Sequence, residues 1–136
     1  MDRVNISLDS LVPEKFREIT RGGNLVKALE GVKAALSAGL LPVKINVVLL
    51  RGFNDSEIAS FAGLAESSPV HVRFIEYMPT HLGRYSYKEL FFSSLEARAI
   101  LDSLGELMPV ENNRGVSAAK VFRIKGFRGT IGFIAP

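Results

Sequence analysis

Strand-like and helix-like segments alternate along the first 79 residues, and this alternation restricts the fold more than any other feature of the sequence. Residues 4–9, 43–50 and 70–76 have the Val, Ile and Leu content and the bounded length of strands. The longest helical stretch between them has Asn24 as its N-cap and ends at Gly39, which is placed to adopt a left-handed conformation. Strand–helix–strand–helix–strand is typical of consecutive right-handed βα units, so the sequence predicts an α/β fold with a parallel sheet.

Two further positions predict where helices begin. Pro13 suits the first position of a short helix that runs to Thr20. Asn54 and Glu57 have the spacing of a capping box at the start of the helix that follows the second strand.

The character of the sequence changes after Pro79. Residues 80–88 are polar and aromatic and predict a loop, after which Ser93 and Glu96 have the spacing of a capping box for one more helix. Three short segments then have the character of antiparallel strands: 106–110, 119–125 and 129–135. The sequence therefore predicts a small α+β region after the parallel βα units.

One side of each predicted parallel strand is polar, although strands of a parallel sheet are normally apolar on both sides. The residues on this side are Asn5, Ser7 and Asp9, then Lys44 and Asn46, then His71 and Arg73. A single basic residue in a strand commonly faces solvent or lies at a sheet edge. Agreement among three consecutive strands favours a wet or ligand-filled cavity, such as the lumen of an open βα barrel. Its positive charge favours phosphate or carboxylate ligands.

The composition excludes several classes of protein. The 136 residues contain no cysteine, which excludes disulfides, zinc–thiolate sites, thiol nucleophiles and a self-contained iron–sulfur cluster. The net charge of +3 is too small to indicate nucleic-acid binding. No apolar run approaches the ~20 residues of a membrane-spanning helix, and the charged pair Asp2–Arg3 directly after Met1 argues against a secretory signal. We therefore expect a cytoplasmic protein that binds neither nucleic acid nor membranes.

Lys44 keeps a second enzyme class open. A lysine near the middle of a barrel strand can form a Schiff base, as in an aldolase-like barrel. Asp9 and Glu76 are candidates for acid–base catalysis, and Asp9 is equally suited to ordering the turn that follows it. His71 and His81 lack the spacing of metal ligands, so the sequence predicts no metal site.

Five segments, distributed over almost the whole chain, identify a family. They are 3–11 (RVNISLDSL), 13–20 (PEKFREIT), 43–55 (VKINVVLLRGFND), 73–79 (RFIEYMP) and 129–136 (GTIGFIAP). In order and spacing they resemble the GTP 3′,8-cyclase family of radical S-adenosylmethionine (radical SAM) enzymes, also called molybdenum cofactor biosynthesis protein A. The resemblance implies a partial (β/α) radical-SAM-type barrel of about three parallel βα units over residues 1–79. It also implies that residues 80–136 begin the family's C-terminal region as a small α+β extension.

The resemblance also implies roles for individual residues. Ser7 and Met78 match positions at which the family contacts S-adenosylmethionine, and Lys44 and Arg73 match positions in the GTP cavity. The implied function is the radical SAM-dependent conversion of GTP to the cyclic precursor of molybdopterin, a lyase reaction of molybdenum cofactor biosynthesis. The implied partners are GTP and S-adenosylmethionine.

The cysteine motifs that hold the family's two 4Fe-4S clusters have no counterpart in this sequence. We therefore expect an internal fragment of such an enzyme that binds no cluster and is inactive by itself. The unpaired edges of a partial barrel predict self-association, or a homodimer in the parent enzyme. The alternative is a non-catalytic relative that binds a nucleotide or a partner protein.

Overall fold

The fold is built around a single mixed β-sheet. The structure is a computed structural model that describes residues 4–40, 42–77, 90–110 and 119–134. The six strands are β1 (Val4–Ser7), β2 (Val43–Leu49), β3 (Val70–Glu76), β4 (Leu107–Pro109), β5 (Ala119–Ile124) and β6 (Thr130–Ile134). Their order across the sheet is β1-β2-β3-β6-β5-β4. The four strands β1, β2, β3 and β6, which are adjacent in that order, run parallel to one another. Strand β5 is antiparallel to both of its neighbours, β6 and β4.

The four described α-helices are α1 (Pro13–Ile19), α2 (Leu25–Ser37), α3 (Ile58–Ser67) and α4 (Ser94–Asp102). Three of them, α1, α2 and α4, begin where the sequence supplies an N-terminal signal. The Asn24 side chain accepts a hydrogen bond from the backbone N–H of Lys27, and Ser93 with Glu96 forms a complete capping box. Gly39 has φ +74°, which confirms the predicted left-handed end of α2.

The hydrophobic core lies on one side of the sheet, where α3 and α4 contact β3. Side chains of β2 alternate between buried and half-buried along the whole strand, as they do over most of β3. Four phenylalanines form the largest aromatic cluster of this core. The Phe74 ring lies edge-on to Phe61 at 6.3 Å and stacks on Phe133 at 6.0 Å, and Phe122 lies edge-on to Phe133 at 5.9 Å. Aromatic packing therefore connects β5 and β6 to β3 in addition to their backbone pairing.

The predicted capping box at Asn54 and Glu57 is wrong. Asn54 makes no side-chain bond to the short 3₁₀ helix Asp55–Glu57 that follows it. Both side chains are buried and bond to distant backbone groups or hydroxyls instead. The Glu57 carboxylate accepts from Ser10 Oγ at 2.8 Å and from Leu11 N–H at 2.6 Å. The capping box does not form because both side chains are buried, where they provide hydrogen-bond partners for backbone groups and a hydroxyl that water cannot reach.

The α/β class and the mostly parallel sheet are confirmed. The antiparallel pairing of the last strands is also observed, but β6 lies parallel to β3 in the same sheet, which the sequence pattern did not predict. Closure into a barrel and the division into residues 1–79 and 80–136 stay predictions. Among the described residues, no helix has the length and apolar character needed to cross a bilayer.

Candidate functional site

The side of the sheet away from the core carries two rows of polar residues, one beside the other. In register across β1, β2, β3 and β6, the first row is Asn5, Lys44, His71 and Thr130. The second row is Ser7, Asn46, Arg73 and Gly132. We call these eight residues the polar face. Neighbouring strands lie about 4.8 Å apart, so basic residues on β2 and β3 lie close enough to contact one small ligand.

Arg73 is held in place by an amide from the neighbouring strand. Its Nε donates a hydrogen bond to Asn46 Oδ1 at 2.7 Å, and both side chains are half-buried. A guanidinium has five donor hydrogens, so this bond fixes the plane of the group and leaves other donors for a ligand. Planar, oriented donors of this kind suit the oxygens of a phosphate or carboxylate.

His71 is also held from a neighbouring strand. Its Nδ1 lies 2.7 Å from Thr130 Oγ1. Burial, followed by the positive charges of Arg73 and Lys44, lowers the pKa of His71 to about 4. The imidazole is therefore neutral at neutral pH, because a third positive charge on this face is unfavourable without a counter-charge.

Asp9 and Glu76, the two carboxylates considered for acid–base work, are hydrogen-bonded to backbone groups. Asp9 Oδ1 accepts from the Val48 N–H at 2.9 Å. Burial raises the pKa of Asp9, and the bond from Val48 partly offsets that increase. Glu76 Oε2 accepts from the Ser94 N–H at 2.7 Å, and register with Leu49 places Glu76 on the core side of the sheet. Both carboxylates therefore have structural partners.

A cavity of about 300 Å³ lies on the core side of the sheet, away from the polar face. Its lining residues are Glu76, Ser94, Leu95, Arg98, Lys120, Phe122 and Phe133. Glu76 is one of these lining residues, whereas Ser7, Lys44 and Arg73 do not line the cavity. Arg98 already lies over the Phe122 ring at 4.5 Å, so part of its surface is covered. The polar face, and not this cavity, is the candidate site.

At the end of β2, Arg51 connects the strand to the start of α4. Its guanidinium donates to both carboxylate oxygens of Glu96 at 2.8 and 2.9 Å, and its Nε donates to the Phe91 carbonyl at 2.9 Å. The bond from Arg51, followed by those from Ser93, lowers the pKa of Glu96 to about 2. This ion pair is exposed to solvent and serves as a connection between segments.

Comparison with known proteins gives one matching family model and a set of similar curated relatives. Residues 1–65 match the family model of the radical SAM superfamily. The chain is 43% identical over 136 residues to a GTP 3′,8-cyclase of Syntrophomonas wolfei, covering all of this chain and 42% of that protein. It is 45% identical over 138 residues to one of Pelotomaculum thermopropionicum, covering 97% of this chain and 41% of that protein. The chain is therefore similar to GTP 3′,8-cyclases over its whole length and to the radical SAM superfamily over residues 1–65. It spans about two fifths of the length of these curated relatives.

Of the site residues that the family resemblance predicted, the structure brings together three. Ser7, Lys44 and Arg73 share the polar face, with Ser7 exposed on β1 and the two basic residues half-buried. Met78 lies outside the described residues. Thr130 and Gly132 complete the face from β6, and the sequence analysis missed both. Only the pairing of β6 with β3 places them there, and no local pattern in the sequence indicates that pairing.

We expect the stability of the chain to fall as the pH is lowered from about 7 to about 5, in part because of His71. The unfolded histidine has a pKa near 6.5 and the folded one about 4, so the unfolded chain binds more protons in this range. The contribution is fully present above the unfolded pKa and is lost on acidification, with a slope of up to about 1.4 kcal/mol per pH unit. Urea unfolding at several pH values measures it. The His71→Gln variant is expected to show a shallower decrease, and an unchanged slope would contradict the assignment.

Proposed function

We propose that this chain is part of a GTP 3′,8-cyclase and that its polar face binds the phosphates of GTP. The observation that carries the proposal is the placement of Lys44 and Arg73 on one side of adjacent parallel strands, with Asn46 orienting the guanidinium. Two cations on one half-buried face favour an anionic ligand there. The GTP 3′,8-cyclases to which the chain is similar carry a triphosphate substrate in their name. For this reason we propose that Lys44 contacts a phosphate of GTP and does not form a Schiff base.

We also propose that residues 1–79 form a partial barrel whose lumen is lined by the polar face. Residues 80–136 then begin a C-terminal extension, and its strand β6 adds to the same sheet. Binding at the mouth of parallel strands is typical of such barrels. An outer strand such as β1, which pairs on one side with β2, supports self-association of the chain, or a homodimer of the parent.

The proposed contacts to S-adenosylmethionine are Ser7 and Met78. Ser7 fits this role, since its exposed hydroxyl lies in the row that contains Asn46 and Arg73 and can donate or accept one hydrogen bond. When bound in a radical SAM enzyme, S-adenosylmethionine supplies the radical that starts the chemistry. The residues of this chain would position it beside GTP.

The chain does not fit an iron–sulfur cluster. It has no cysteine to supply a thiolate. In the four described stretches, no three His, Asp or Glu residues are grouped so as to hold a metal ion. We derive no reaction step through a cluster from these residues, and we propose that the 136-residue chain is inactive as a cyclase by itself.

The test is GTP binding to the 136-residue chain by titration calorimetry, with Lys44→Gln and Arg73→Gln as variants. A hydrogen bond to a charged group contributes about 1.5–3 kcal/mol, so each substitution is expected to weaken binding by at least about tenfold. Lys33→Gln is the matched control, because Lys33 is exposed on α2 and lies off the polar face.

Two results would contradict the proposal. One is GTP binding that is unaffected by both polar-face substitutions. The other is an equal loss in the Lys33→Gln variant, which would indicate a non-specific effect of net charge. Circular dichroism of each variant establishes that the fold is retained.

A further inference from the structure

We propose that His71 is a third anion-binding residue of the polar face, and that it takes up a proton when a phosphate-bearing ligand binds between Lys44 and Arg73. The inference rests on the proposed function, because it requires that the polar face bind such a ligand. It gives a specific role to a residue that the sequence pattern only placed on the polar side of β3. It also makes ligand binding depend on pH in a defined direction.

The position of the imidazole is fixed on two sides. Thr130 Oγ1 bonds to Nδ1 at 2.7 Å from the neighbouring strand. Gly132 supplies the space for the ring: a Cβ at that position would lie 3.0 Å from His71 Cε1 and 3.1 Å from Nε2. With Nδ1 engaged by Thr130, Nε2 is the nitrogen that remains for a ligand.

Among the described residues of the polar face, His71 has positively charged and neutral neighbours. Lys44 is its register partner on β2, and Arg73 follows two residues along β3 on the same side. Asn46 on β2 and Thr130 and Gly132 on β6 are uncharged. Alternation along β5 brings Arg123 to the same side as Gly132, through Val121. The carboxylate of Asp9, two residues after the end of β1, accepts a hydrogen bond from the Val48 N–H.

An anion between Lys44 and Arg73 reverses the electrostatics at His71. Without a ligand, burial and the two cations together hold the pKa of the ring near 4. A polyphosphate cancels the repulsion and adds an attractive charge, so the protonated ring becomes favourable. The proton comes from solvent. The imidazolium then donates Nδ1–H to Thr130 and Nε2–H to a phosphate oxygen, so both N–H groups have acceptors.

The first test is the pKa of His71 measured by NMR on the 136-residue chain, free and with saturating GTP. The chain contains two histidines, so the His81→Gln variant assigns the signals. We expect a rise of about two units or more on GTP binding, to about 6.5 or above. Guanosine, which has no phosphate, is the matched ligand control and is expected to leave the value unchanged. In the free chain, Arg73→Gln is expected to raise the pKa of His71, because it removes one of the two cations.

The second test is the pH dependence of GTP affinity. With a ring pKa of about 6.5 in the complex and about 4 in the free chain, protonation strengthens binding by about fourfold at pH 6 and hardly at all at pH 8. Comparison with His71→Gln isolates this effect from the titration of GTP itself. Gly132→Ala is a second variant, because its added methyl displaces the ring without removing it, and it is expected to reduce the same fourfold gain.

The outcomes separate the inference from the function on which it rests. If GTP binds in a manner that depends on Lys44 and Arg73 while the pKa of His71 stays near 4, the inference is wrong and the proposed function stands. If GTP does not bind, or binds independently of both residues, the proposed function is wrong and the inference fails with it.

Discussion

Replacing Asn54 with Ala is expected to lower the free energy of unfolding by at least about 3 kcal/mol. The Asn54 side chain is buried and completes three backbone interactions. Its Oδ1 accepts from the Leu50 N–H at 2.9 Å, and its Nδ2 donates to the carbonyls of Asp9 and Val48 at 2.9 and 2.8 Å. Each buried polar group left without a partner costs about 1–3 kcal/mol. Denaturant unfolding followed by circular dichroism measures the loss.

The Asn54→Asp variant tests the same argument without a change of size. A carboxylate keeps the acceptor for Leu50 but turns an oxygen toward the two carbonyls, so we expect a loss at least as large as that of Asn54→Ala. Asn24→Ala is the matched control, because it removes an exposed helix cap and costs about 1 kcal/mol. Near-normal stability of Asn54→Asp would show that these bonds do not hold the ends of β1 and β2 together.

Gly129→Ala is expected to destabilise the chain by at least about 3 kcal/mol, since overpacking against rigid atoms is at the high end of such costs. A Cβ at Gly129 would overlap the Val70 carbonyl oxygen and lie 2.8 Å from that of Ser68. Both are backbone atoms, so no rotamer change relieves the overlap. Gly129 also donates its N–H to the Ala65 carbonyl at 2.7 Å, which holds the start of β6 against the end of α3.

A glycine in α3 provides the control of opposite sign. A Cβ at Gly63 meets nothing within 4 Å, and alanine favours a helix by about 1 kcal/mol over glycine. Gly63→Ala is therefore expected to stabilise the chain while Gly129→Ala destabilises it, both measured by thermal and urea unfolding. A Gly129→Ala protein as stable as wild type would contradict the close approach of β6 to β3.

Local periodicity was enough to predict the parallel strands, the helices and the polar side of the sheet. Lys44 and Arg73 are half-buried on the side of the sheet that the sequence alternation of β2 and β3 predicts, because successive side chains of a strand point to opposite faces. The role of Asn54 was not predictable, since its partners at Asp9 depend on how two loops meet in three dimensions. Thr130 was missed for a similar reason, because its bond to His71 joins residues 59 positions apart.

The position of β6 has a consequence for the order in which the protein is made. β6 lies between β3 and β5, although it follows both in the chain. While the nascent chain leaves the ribosome, β3 therefore has an unpaired edge until Thr130–Ile134 has emerged, and unpaired edges favour pairing with other chains. Thr130 and Gly132 arrive on this strand, so the polar face is complete only after β6 has emerged and paired with β3.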